Sequence, residues 1–353
     1  MQRTGIIIAL ISAVLFGAST PFAKLLLDAV DPWMMAGLLY LGAGLGLGGV
    51  NLSQKVLRLR NDEASLRHSD IPWLVLVIGT GGVLGPLLLM YGLNQTDATG
   101  AALLLNLEGL ATMGIAWVVF RENVDRRLLF GAFSILAGAV LISWRGEASF
   151  QWGAVLIAAA CLCWGIDNNL TRRLSSANPL QIAMLKGLFA GSFNLVLALV
   201  NGANLPSLTV LAVVALIGFL GYGVSLALFV LGLRHLGTAR TGAYFSLAPF
   251  FGAVLAVLML NEPVTIELLT AGGLMGLGLW LHLSEQHGHE HVHEEMKHEH
   301  RHRHDEHHQH EHDEPAPPGT AHTHVHRHRR LIHGHPHYPD LHHRHDHGLH
   351  AGD

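Results

Sequence analysis

Residues 106–124 read NLEGLATMGIAWVVFRENV, and residues 246–264 read SLAPFFGAVLAVLMLNEPV, an offset of 140. Each is an apolar run that opens on a small polar residue and closes near an acid, Glu122 in one copy and Glu262 in the other. Two more matches share nearly the same spacing. Phe16-Gly17 meets Trp164-Gly165 at an offset of 148, and PWMMAGLLYLGAG from Pro32 meets PLQIAMLKGLFAG from Pro179 at 147. Such internal similarity in an apolar chain points to a duplicated membrane architecture.

An apolar helix needs about 20 residues to cross the hydrocarbon layer. The sequence holds ten such runs, at 5–27, 33–52, 71–93, 98–120, 127–144, 152–171, 179–200, 207–232, 239–260 and 265–283. The expected fold is therefore an all-α polytopic membrane protein. Its first repeat covers 1–147 and its second 148–284, with five spans in each. Five is odd, so the copies must lie in the membrane in opposite orientations. That is the architecture of alternating-access transporters, with the substrate site between the halves.

Loop charge sets the orientation. With the N-terminus inside, the inner loops carry Arg3, Lys55, Arg58, Arg60, Arg67, Arg121, Arg126, Arg127, Arg172, Arg173, Arg234 and Arg240, while the outer side holds Lys24 and Arg145. Cations concentrate on the cytoplasmic side of bilayer proteins. Both termini are thus expected in the cytoplasm of a cell whose inner, or plasma, membrane holds the chain. No cleavable signal peptide is expected. Cys161 and Cys163 share one apolar run and offer no disulfide framework.

Composition changes abruptly after Ser284. Of 27 histidines in the chain, 24 lie in residues 285–353, which have almost no apolar residues from which to build a core. This tail is expected to be disordered and metal-binding. Its H-x-H runs comprise His287, His289, His291 and His293; His298, His300, His302 and His304; His310 and His312; His322, His324, His326 and His328; His333, His335 and His337; and His343, His345 and His347. On an extended chain, alternate residues point the same way, so neighbouring imidazoles can share an ion without a fold. Neutral imidazole suits nickel, cobalt, zinc and copper(II). Pro315, Pro317, Pro318 and Gly319 divide the tail into two lobes. Such a segment buffers, senses or delivers a metal and does not act as a selective gate.

Phe16-Gly17 with Pro21, the acids closing the fourth and ninth spans, and the Thr-Gly-Ala starts at Thr99 and Thr241 together resemble the EamA-type transporters of the drug/metabolite transporter superfamily. The resemblance covers about residues 5–283 and implies export of a small solute. Histidine-tailed members of that group are associated with nickel and cobalt resistance, and this chain looks like that subset.

Ionisable groups at bilayer depth are costly and default to functional roles. Glu108 lies near mid-depth in the fourth span, and its repeat partner is the neutral Ala248. A carboxylate there suits exchange of a proton for a cation. Thr112 follows one turn later on the same face, and Asn106 projects from another. Asp167 lies in the sixth span with Cys163 four residues earlier and Asn168 adjoining, a set that could coordinate a divalent ion. The alternative is that the cysteines only pack. Lys186 could snorkel to the interface or pair with Asp167 or Glu108. Lys24 and Pro21 mark the outer end and a break of the first span, and Met34, Met35 and Met90 read as core. The glycine runs around Gly42–Gly49 and Gly272–Gly276 fit close helix approach.

The expected protein is a secondary exporter of divalent nickel or cobalt, coupled to protons through an intramembrane carboxylate. The alternative is an exporter of an organic metabolite or drug whose tail only senses metal. A storage or sensor protein would leave the repeats idle. No nucleophile–base set, nucleotide loop or catalytic zinc spacing occurs, so an enzyme is not expected. Partners are the lipid bilayer and a small-molecule or metal-ion substrate, with a homodimer left open and no nucleic acid. No cofactor is required beyond metal held by the tail.

Overall fold

The computed structural model describes residues 2–57, 66–120, 126–143, 151–174, 177–236, 241, 244–283 and, in the tail, 287–293, 296–302, 322–328 and 331–337. Eight helical segments are long and apolar enough to cross a membrane: 4–26, 32–56, 68–94, 98–119, 126–143, 152–171, 180–200 and 208–229. Two shorter apolar helices follow, Ala248–Leu260 and Ile266–His282. The segments are numbered one to ten in that order. The ninth falls short of its expected length because Ser246 and Leu247 interrupt it just before Ala248.

Local chemistry explains where segments begin. Segments two and seven both start on a side-chain cap followed by proline at the first helical position. Asp31 Oδ1 accepts from the amides of Trp33 (2.9 Å) and Met34 (3.1 Å), and Asn178 Oδ1 from those of Leu180 (2.9 Å) and Gln181 (3.3 Å). These bonds satisfy donors that the first turn leaves unpaired, and proline has no amide to lose there. Asp97 caps the fourth segment in the same way, through the amide of Gly100 at 2.6 Å.

Helix packing follows the sequence offsets. Segment two packs on seven, five on ten, and nine on the start of four. Segment one lies against eight and nine, and segment six lies against three and four. Segments three and eight each lose α-helical pitch midway, in π-helices over Ile78–Leu84 and Phe219–Val224. The two stretches correspond at the offset of 140. Single π turns of this kind are frequent at functional sites.

Segment four is also broken. Helix Ala98–Leu104 ends at a turn over Leu105 and Asn106, and helix Leu107–Phe120 resumes after it. The turn frees carbonyls that lipid cannot satisfy. Leu103 O accepts from the Asn106 amide at 3.0 Å and also from Asn106 Nδ2 at 2.8 Å, and the Cys161 thiol lies 3.7 Å from Leu104 O. The core gathers around the first half of this segment, with Met34, Met35, Met90 and Ile157 wholly buried.

Two expectations need correction. Pro21 does not break the first segment, which runs as one helix from Gln2 to Leu26. Its missing amide would have bonded Gly17 O, and that carbonyl lies against Gly252 instead. Close helix approach holds at Gly42 and Gly44 but not at Gly49 or Gly273, where an added Cβ would meet nothing within 4 Å. The tail contributes short paired segments among the described residues. Four strands, β1 His287–His293, β2 Met296–His302, β3 His322–His328 and β4 Leu331–His337, form two antiparallel pairs. A period-two repeat is the pattern a strand needs. The register sets histidine opposite histidine, with His287 facing His337 and His289 facing His335 in β1–β4, and His298 facing His326 and His300 facing His324 in β2–β3.

Candidate functional site

The break in segment four places Glu108 in the first turn of the helix that resumes. An acid there meets the positive end of the helix dipole, and interrupted helices of this type line substrate sites in transporters. Asn168 of segment six reaches across, donating from Nδ2 to Glu108 Oε1 at 2.9 Å and to Thr112 Oγ1 at 3.2 Å. Thr112 Oγ1 also donates to Glu108 O at 2.9 Å, as residues four apart on one face can. Asn169 donates to Thr112 O at 3.1 Å, fastening the same helix pair. Glu108 is half-buried and Asn168 exposed.

Asp167 faces elsewhere. Its Oδ2 accepts from Lys186 Nζ of segment seven, and its Oδ1 accepts from Thr171 Oγ1 at 3.1 Å. The ion pair is secluded, its side chains 14% and 6% exposed for Lys186 and Asp167. It lies under Gly81, in the π-helical stretch, where any Cβ would run into the Asp167 carboxylate. Gly81 O accepts from Tyr40 OH at 2.8 Å and from Trp164 Nε1 at 3.0 Å. Segments two, three, six and seven thus converge on one polar knot.

The carboxylate, thiol and amide expected to share an ion on segment six do not come together. Successive residues on a helix turn by about 100°, so Asp167 and Asn168 address different neighbours. Asp167 goes to Lys186 and Asn168 to Glu108, while Cys163 is half-buried. Among the described residues no group of three or more His, Cys, Asp or Glu side chains is gathered for a metal ion. Asn106 is buried at the break, 3.9 Å from Met275 Sδ, and so belongs to packing. Lys186 neither snorkels nor meets Glu108.

One residue read as a landmark of the repeat, and not as a site residue, makes a contact between the halves. Glu262, just after segment nine, accepts from the amides of Ala98 and Thr99, each at 2.8 Å, and from the Thr99 hydroxyl. The acid after an apolar run was visible, but its partner lies 163 residues away. Lys24 sits at the same end and ties segment one to Leu93 O at 2.7 Å.

Comparison with known proteins agrees with this architecture. The chain is 30% identical over 298 residues to an uncharacterized transporter of Methanothermobacter thermautotrophicus, a match covering 80% of this chain and 87% of that protein. It is 29% identical over 280 residues to the uncharacterized transporter YdeK of Bacillus subtilis, covering 75% and 92%. A probable amino-acid metabolite efflux pump of Salmonella typhimurium matches at 29% over 203 residues, covering 52% and 66%. One crystal structure superposes with a TM-score of 0.58 at 18% identity, covering 80% of this chain and 96% of that one, which bears on the fold alone. Residues 3–144 and 151–284 each match the EamA-like transporter family, and this multi-pass membrane protein belongs to that family.

Proposed function

We propose that the chain is a secondary exporter of the inner membrane that moves a divalent cation, nickel or cobalt, outward in exchange for protons. In this reading its two five-helix halves, 1–147 and 148–284, lie inverted with both termini in the cytoplasm. One observation carries the proposal. Lys186 and Asp167 neutralise each other, so the charge left at the break is the Glu108 carboxylate, held by the Asn168 amide and not by a cation. A lone lysine would repel a divalent ion, whereas a paired lysine leaves a negative site. Glu108 is then the group that ion and proton occupy in turn, with Thr112 Oγ1 and the Asn168 amide beside it. The histidine tail, on the cytoplasmic side, gathers the metal, and its in-register histidine pairs suit that task.

A second reading makes the substrate an organic metabolite. It is favoured by the missing three-ligand group among the described residues and by the relative described as an amino-acid metabolite efflux pump. A deletion strain complemented with the full chain, a chain ending at Ser284 or Glu108→Gln separates the two. Metal export predicts that the full chain lowers nickel or cobalt accumulation and that Glu108→Gln does not. Unchanged accumulation with all three would end the metal reading.

A further inference from the structure

We infer that Glu262 is the catch of a gate: by binding the first turn of segment four it holds shut the end of the molecule opposite the tail, and it lets go in each transport cycle. This rests on the transporter reading above. The contact joins the two homologous regions, with both carboxylate oxygens engaged by Ala98 and Thr99. Hydrogen bonds between an ionised carboxylate and backbone amides are among the stronger ones in proteins.

The backbone is shaped to deliver this acid. Asn261, directly before it, has φ of 52°, a left-handed conformation that no other non-glycine residue adopts among the described residues. Asparagine tolerates that region better than most side chains. The turn ends segment nine and aims the next side chain back over its neighbour.

The two halves of segment four live in different surroundings. Every residue from Ala98 to Leu105 is buried, packed chiefly on segments nine and one. Beyond the break, Leu107–Phe120 packs on segment six and only lightly on five, and Trp117, Val118 and Val119 are exposed. Segment four is thus enclosed at its Glu262 end and has fewer neighbours beyond the break. Thr241 occupies the position in the second copy that Thr99 holds in the first, and its buried Oγ1 has no hydrogen-bond partner among the described residues. Glu108 sits just below the closed half. Cargo released at that end must part segment four from segment nine, and the bonds in the way are those of Glu262.

Native cysteines supply the test. Cys161 is wholly buried beneath the closed half, its thiol against Leu104 O. In a Cys163→Ser background, whole cells and inverted vesicles are treated with a membrane-impermeant maleimide. The expected result is slow labelling from the Glu262 face in the parent, about tenfold faster labelling in Glu262→Ala, and a severalfold increase in Thr99→Val. Thr99→Val removes only the hydroxyl donor, so it serves if Glu262→Ala fails to fold, as judged by gel filtration in detergent. Folded variants labelled at the parental rate from both faces would overturn the catch. Labelling needs no substrate, so that outcome is distinct from failure of export itself, which the accumulation assay reports.

Discussion

Lys186 donates to Asp167 directly under Gly81, so an ion pair between segments six and seven sits where segment three leaves α-helical pitch. The pair is secluded from solvent, and breaking such a pair from one side leaves an uncompensated charge. Lys186→Met and Asp167→Asn should therefore each destabilise the protein by about 3–5 kcal/mol. The double variant should recover much of the loss. Thermal unfolding of the four detergent-purified proteins closes the cycle.

Gly81→Ala places a methyl against the Asp167 carboxylate and should cost about 1–3 kcal/mol through overpacking. It should also disturb the Tyr40 and Trp164 bonds to Gly81 O. Gly273→Ala meets nothing within 4 Å and should stay within about 0.5 kcal/mol of the parent. The contrast in unfolding temperature, measured side by side, separates a specific contact from general intolerance of the membrane segments.

Glu108→Gln preserves an oxygen to accept the Asn168 amide, so the fold should survive. What goes is the ability to exchange a proton for a cation. In proteoliposomes loaded with a pH-sensitive dye, cation-driven proton flux should fall to background, while gel filtration stays unchanged. Flux at the parental level would remove Glu108 from the coupling role.

Ending the chain at Ser284 removes 24 histidines and leaves the membrane segments intact. The truncated protein should bind far less nickel at equilibrium dialysis. Its transport at saturating metal should match the full chain, with the loss confined to low metal concentration. Equal metal binding with and without the tail would show that the histidines are not the store.

The membrane segments were legible because their causes are local. Apolar runs, the Asp31-Pro32 and Asn178-Pro179 starts, and the Glu108–Thr112 spacing all lie within a few residues of their effects. The polar knot was only half legible. Sequence left Lys186 three fates, and the choice of Asp167 depends on segments six and seven meeting beneath a glycine of segment three. The break at Leu105–Asn106 carries no proline, and Asn106, Glu108 and Gly109 are polar or small residues that a continuous helix also accommodates, so the local sequence does not announce it. Asn106, whose amide side chain donates to Leu103 O, and Cys161, whose thiol lies against Leu104 O from segment six, make the break tolerable. The tail shows the opposite case: its period-two repeat is visible locally, yet the pairing of its strands needs residues 20 or more apart to meet.

The neutral pairing of Lys186 with Asp167 has an electrical consequence. If the pair moves as a unit, the charge that varies at the Glu108 site is one carboxylate plus its cargo. One divalent ion leaving against one proton entering would carry a net positive charge outward. Each elementary charge moved against a negative interior costs about 2.3 kcal/mol per 100 mV. A singly protonated amine exchanged for one proton would feel no such load. Clamping the potential of proteoliposomes with potassium and valinomycin thus reports on cargo valence: a rate that slows as the cytoplasmic face becomes more negative points to a divalent ion.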